Sequence, residues 1–231
     1  MLQDARIRRF ATEFACQWLH IYDFDTLDEK SEKHFPEFRD LRGDMYEESI
    51  RFFTDAFQRD ASVLSFFDAD HTFVNERLAK FYGVQVGQAF QPDPIASTGQ
   101  PGKADLRWAR ITDLKQHGRG GLLGMAATLA KQSGASRTSP ILRGNWVSEV
   151  LLGEKLPKPP KGVPQLPEDE AALEGKTVRQ LVELHSIDEK CIKCHERIDP
   201  FGFALEGFDT IGRRRDKDLG NRPIDTKTKT P

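Results

Sequence analysis

Apolar residues in the first half of the chain recur at helical spacing. Ile7, Phe10, Ala11, Phe14, Ala15 and Trp18 form one stripe, which predicts an amphipathic helix over about residues 4–20. A longer pattern follows Pro36, with Phe38, Leu41, Met45, Phe52, Phe53, Ala56 and Phe57 on its apolar side. Asp60 and Ser62 interrupt it before the short apolar run Val63 to Phe67. A third helix is predicted over 71–82, with Asp70 as N-cap and Gly83 as the glycine that ends it. Between Gly83 and Gly121 the chain reads as loop, through Pro92, Pro94, Gly99, Pro101 and Gly102, with one short strand over 106–112. Helical signals return over 121–131 and 139–152, where Ser139 suits an N-cap, Pro140 the first helical position and Gly153 the stop. The proline-rich segment 155–170 predicts an extended linker. Beyond it, Thr177 and Gln180 form a capping-box pattern for a helix through Leu181 and Leu184. Asp199-Pro200-Phe201-Gly202 reads as a turn that folds the following aromatic segment back. The pattern predicts a mainly α protein: a helical, bundle-like N-terminal block and a small helical module joined by a long proline-rich linker.

Charge changes this picture little. The 34 Lys and Arg stand against 36 Asp and Glu, a formal charge of −2. No one-signed field is available to recruit nucleic acid or an anionic membrane. Even the run Arg213, Arg214, Arg215 is followed by Asp216 and Asp218, as on a solvated surface. No stretch approaches the roughly 20 apolar residues of a membrane span. The opening MLQDARIRRF lacks the apolar core of an export signal.

The three cysteines carry more information. Cys16 lies beside the first helical stripe and reads as an inert buried thiol. Cys191 and Cys194 form a close pair followed by His195, a C-x-x-C-H sequence of the c-type haem attachment pattern. On a helical turn, cysteines three apart share a face, so both sulfurs reach the vinyl groups of one porphyrin. The adjacent His195 can then turn its imidazole to the iron as proximal ligand. Two other uses of the pair stay open. A structural zinc site needs two more Cys or His ligands, of which only His185 is close in sequence. A thioredoxin-like pair would follow a strand in a βαβ context. Ile192, Ile198, Phe201, Phe203, Leu205 and Phe208 offer the apolar surroundings a porphyrin needs, and would serve equally as core.

The distal iron ligand is not specified by the motif. No Met follows His195, so Met125, in the apolar GLLGMAATLA segment, is the distal candidate, with a core role as its alternative. His185 is a second candidate metal ligand, or else a partner for a propionate. Met45 reads as core. Arg137, Arg143 and Arg197 are candidate propionate partners, because guanidinium groups bind carboxylates bidentately; surface ion pairs would account for them as well. Asp68-Ala69-Asp70-His71 starts like a calcium loop but places Phe73 where the turn needs Gly, and so reads as a helix-cap turn. Gly118-Arg119-Gly120-Gly121 lacks the Lys-Ser/Thr of a phosphate loop and reads as a helix entrance.

Longer segments extend the motif into a resemblance. FPEFRDLRGDMYEESIRFF (35–53) with DADHTFVNERLAKFYGV (68–84), GLLGMAATLA (121–130) with RTSPILRGNWVSEVLLG (137–153), and CIKCHERIDPFGFALEGFDTIGRRR (191–215) are similar to planctomycete-type cytochrome-c-like multidomain proteins built from domains of unknown function. The resemblance implies that 1–90 belongs to one helical module and 118–215 to a cytochrome-c-like, haem c-binding module. It also implies that 216–231 begins a C-terminal module. It implies a piece of a longer exported protein, in the periplasm or at the cell surface, carrying one covalent haem c on Cys191, Cys194 and His195. It supplies no activity.

Three functions remain in competition. The first is an electron-transfer module serving a redox partner protein or other modules of a larger oxidoreductase-like protein. The second is a module that haem merely staples, and the third is a haem enzyme with an open distal site.

Overall fold

Glu48 sits at the centre of the N-terminal helical layer, and the sequence around it explains how that layer closes. The computed structural model describes residues 2–85, 107–157, 159, 162–163 and 165–229. The chain is mainly α-helical and divides into two compact units. Residues 1–28 and 37–128 form the first, and 29–36 and 129–231 the second.

In the first unit, helices α1 (Ile7–Leu19) and α2 (Phe38–Gln58) pack together. α1 buries Ala11, Ala15, Cys16 and Leu19, small enough to let the helices approach, and ends at His20 in the left-handed conformation. Phe14 meets Phe57 of α2 edge-on and Phe53 at a tilt, with ring centroids 5.4 and 5.7 Å away. The apolar run after Asp60 gives the short α3 (Ser65–Asp68).

The helix expected over 71–82 is two elements. His71–Val74 is strand β1, paired antiparallel with β2 (Ala109–Thr112) from His71 opposite Thr112 to Val74 opposite Ala109. Only then does α4 (Glu76–Tyr82) begin, capped by Asn75, whose side chain accepts from the Leu78 N–H at 2.9 Å. Thr72, Phe73 and Val74 are β-branched or aromatic, and a pairing partner far along the chain tips them to strand. Asp70 does not cap α4; its carboxylate accepts from the Lys115 N–H at 2.7 Å, in the first turn of the short 3-10 helix Leu114–His117. Gly83 does end α4, at φ +70. The loop expected at Pro92–Gly102 and the start of the strand expected over 106–112 lie outside the described residues. Across this unit the buried Glu48 carboxylate accepts from Thr72 Oγ1 at 2.7 Å and from the Tyr82 hydroxyl at 2.6 Å.

Helix α5 (Ala126–Lys131) runs through the division between the units. In the second unit, Lys30 is buried and donates its three protons to the carbonyls of Ala130, Ser133 and Gly134 at 2.7, 2.8 and 2.8 Å. Helix α6 (Pro140–Trp146) starts as expected, with Ser139 accepting from the Leu142 N–H at 3.2 Å and Pro140 in its first turn. It continues as a π-turn over Val147–Leu151. Helix α7 (Val178–His185) carries the full capping box of Thr177 and Gln180.

Helix α8 (Glu189–Ala204) runs through Asp199-Pro200-Phe201-Gly202, the segment expected to turn. Pro200 lacks an N–H, so it removes one bond near the helix end; packing against α6 outweighs that loss. The packing is reciprocal. A Cβ on Gly144 would overlap the Ile198 carbonyl, and one on Gly202 would overlap the Pro140 carbonyl. Beside this contact, the buried Arg143 donates to the carbonyls of Leu205 and Phe208 at 2.8 Å each and of Asp209 at 2.6 Å. Arg215 bridges Glu170 at 2.7 Å and Glu206 at 3.2 Å. Leu173, Val178, Val182 and Phe203 form the apolar centre of this unit.

Candidate cofactor-attachment site

The C-x-x-C-H residues occupy the first turns of α8. Asp188 caps the helix by accepting from the Lys190 N–H at 2.8 Å. Cys191, Cys194 and His195 then lie at i, i+3 and i+4, on one side of the helix. Both thiols are free and partly exposed.

His195 differs from them. It is only 9% exposed, and its Nδ1 stands 3.0 Å from both oxygens of Asp199, one turn further along. A carboxylate oxygen at this distance accepts from Nδ1–H, so in the neutral imidazole it is Nε2 that keeps the lone pair. Among the described residues Nε2 has no hydrogen-bond partner. His185, the last residue of α7, sets its ring edge-on to His195 with centroids 5.4 Å apart. Burial, and secondarily the charge of His195, push His185 towards its neutral form.

Two clefts meet this constellation. One, of about 700 Å³, is lined by Ile192, His195, Pro200 and Phe203 with Arg179 and Lys227 at its edge. The other, of about 450 Å³, joins Cys191 and His185 to Leu166, Leu181 and Leu184. Around the thiols, Leu184, Ile187 and Ile192 are 54, 68 and 40% exposed. Three large apolar side chains are thus left in water beside one motif.

The residues fit a covalently attached haem. Two free thiols share a helical face, a histidine presents a bare Nε2, and apolar side chains surround them. A zinc site is less well served: among the described residues no group of three or more His, Cys, Asp or Glu is arranged to hold a metal ion. Nor does α8 follow a strand, as a thioredoxin-like pair would; it follows α7.

Met125 is buried in the first unit, with the Ser49 hydroxyl 3.8 Å from its sulfur. Met45 is fully buried in α2. Arg143 is spent on backbone carbonyls, and Arg137 donates to the Pro167 carbonyl at 2.7 Å. Arg197 pairs with Glu154 at 2.6 Å. None of these three arginines lines either cleft. Arg179 does; it lies over the Phe203 ring, 4.6 Å from its centroid, and pairs with Glu183 at 2.9 Å. Asp199 was visible only as a turn residue, although its spacing from His195 is helical.

Two family models match the chain. PSD4, a protein of unknown function (DUF1592), matches residues 1–84, and PSCyt3, a protein of unknown function (DUF1588), matches residues 119–218. The second match contains the whole C-x-x-C-H constellation, and its name, PSCyt3, hints at a cytochrome-like domain. Curated proteins and solved structures gave no match. The matched segments do not coincide with the compact units, since 119–128 of the second match group with the first unit and 29–36 of the first match with the second.

Proposed function

We propose that the second unit attaches one haem c through Cys191 and Cys194, takes His195 as the proximal iron ligand, and serves electron transfer within a larger exported oxidoreductase-like protein. The observation that carries this reading is His195 itself: buried, tied through Nδ1 to Asp199, and left with a free Nε2 on the same helical face as two free thiols. The cytochrome-like name of the matching PSCyt3 model supports it.

The cofactor would supply a one-electron couple at its iron. The chain's residues attach, orient and shield it. Cys191 and Cys194 would hold it through thioethers, each S–H adding across a vinyl double bond with its proton going to the neighbouring carbon. Leu184, Ile187, Ile192 and Phe203 exclude water, and Arg179 and Lys227 at the cleft edge suit propionate carboxylates. Electrons would pass to a redox partner protein or to another module. Attachment of this kind takes place outside the cytoplasm, so the reading carries a periplasmic or cell-surface location with it.

Expression of the chain with haem-attachment machinery, followed by denaturing electrophoresis and haem staining, tests the reading. Covalent haem is expected, and it should disappear in Cys191→Ala/Cys194→Ala. Equal staining of the double variant would overturn the assignment. A reduced spectrum indifferent to carbon monoxide is expected of an electron-transfer site, and its perturbation would favour an open distal position. A second reading, haem as a structural staple, is favoured by the exposed apolar residues beside the thiols. It requires loaded protein to melt well above cofactor-free protein.

A further inference from the structure

Asp199 is a feature that haem attachment does not itself require. A proximal histidine needs only some acceptor for Nδ1–H, and a backbone carbonyl suffices. Here the acceptor is a carboxylate, with both oxygens 3.0 Å from Nδ1. It is also buried, at 7% exposure, so its charge acts on the ring with little screening by water. Its position is enforced from the next turn: Gly202 lies against the Pro140 carbonyl of α6, and Ile198, the residue before Asp199, presents its own carbonyl to Gly144. The Asp199 turn of α8 cannot slide or rotate without a backbone clash.

We infer that Asp199 is a positioning residue, which locks His195 as the tautomer with a bare Nε2 and, through its charge, lowers the reduction potential of the iron. The inference rests on the haem reading above. A hydrogen bond from Nδ1–H to a full negative charge draws the proton towards oxygen and leaves the imidazole more basic. A more basic axial ligand stabilises the ferric over the ferrous state, and the couple moves to lower potential. A neutral acceptor in the same place would preserve the tautomer without this bias. The two parts of Asp199's role are therefore separable.

The test compares haem-loaded wild-type chain with Asp199→Asn and Asp199→Glu by redox titration and by the ¹⁵N shift of His195 Nδ1 in the reduced protein. Asp199→Asn keeps an oxygen acceptor but loses the charge. Its midpoint potential should shift upwards and its Nδ1 resonance upfield, while Asp199→Glu moves both back towards wild type. A purely structural role would alter melting without this paired, charge-dependent shift. Wild-type values in Asp199→Asn would overturn the inference. Should the variants fail to load haem, ¹⁵N shifts of His195 in the cofactor-free wild-type chain decide it: a protonated Nδ1 is expected, and a protonated Nε2 overturns it. Absence of covalent haem from the wild-type chain, read beforehand by haem stain, would instead reject the underlying function.

Discussion

Gly144 of α6 faces the carbonyl of Ile198 on α8 with no room for a methyl group between them. Gly202 of α8 faces the carbonyl of Pro140 in the same way, so the two helices interlock at a pair of glycines four residues from each contact partner's own glycine. This close approach sets the register of α8, and with it the placement of Cys191, Cys194, His195 and Asp199.

Alanine at Gly144 should therefore wedge the helices apart. The loss is expected to reach at least about 2 kcal/mol, since overpacking against backbone has no flexible side chain to absorb it. Urea denaturation of the single variants Gly144→Ala and Gly202→Ala reads it directly. A melt like that of wild type would mean the helices can separate freely.

Arg143 is expected to be equally unforgiving. Its guanidinium serves the carbonyls of Leu205, Phe208 and Asp209 and lies 3.6 Å from Glu206. Burial lowers its pKa only to about 10, so it is charged at neutral pH. Arg143→Met would leave those carbonyls and a buried carboxylate short of a partner, at a cost of roughly 3–5 kcal/mol. Arg143→Lys should recover little, because an ammonium lacks the planar fork that reaches several carbonyls at once. Equilibrium unfolding of both variants checks this.

Glu48 makes the first unit sensitive to pH. Burial pushes its carboxyl up to about 7 from 4.5, against the lowering effect of the Tyr82 and Thr72 hydroxyls. Between those values the folded chain holds a proton that the unfolded chain has released. Stability from this group is complete below about pH 4.5 and lost as the pH rises through 7. The full change is on the order of 3 kcal/mol for a shift of this size. Glu48→Gln should flatten that part of the stability profile and be the more stable protein above pH 7. Thermal melts from pH 4 to 8, wild type against variant, test the sign.

Met125 offers a cleaner separation of core from cofactor chemistry. It is buried in the first unit beside Ser49. Met125→Ala should cost about 2–5 kcal/mol as a cavity-forming change. The visible spectrum of loaded protein should stay the same. A changed low-spin spectrum would instead make the sulfur an iron ligand.

Much of this was legible along the chain, for reasons that are local. A stripe of Ile7, Ala11, Ala15 and Trp18, a Ser139-Pro140 entrance and the Thr177–Gln180 capping box each act within a few residues. Capping and amphipathic periodicity therefore announce helices wherever they fall. The C-x-x-C-H spacing is legible for the same reason, since one helical turn brings its three side chains together.

Tertiary structure decided what depends on distant partners. His71–Val74 is strand because Ala109–Thr112 lies beside it, and Asn75 then takes the cap expected of Asp70. Pro200 sits within a helix because Gly202 and Gly144 let α6 and α8 close together. Continuing α8 through Asp199 is what places it one turn from His195 and turns an expected turn residue into the imidazole's partner. Short-range hydrogen bonds and periodicity are written in neighbouring residues; close packing and burial belong to residues that only folding brings into contact.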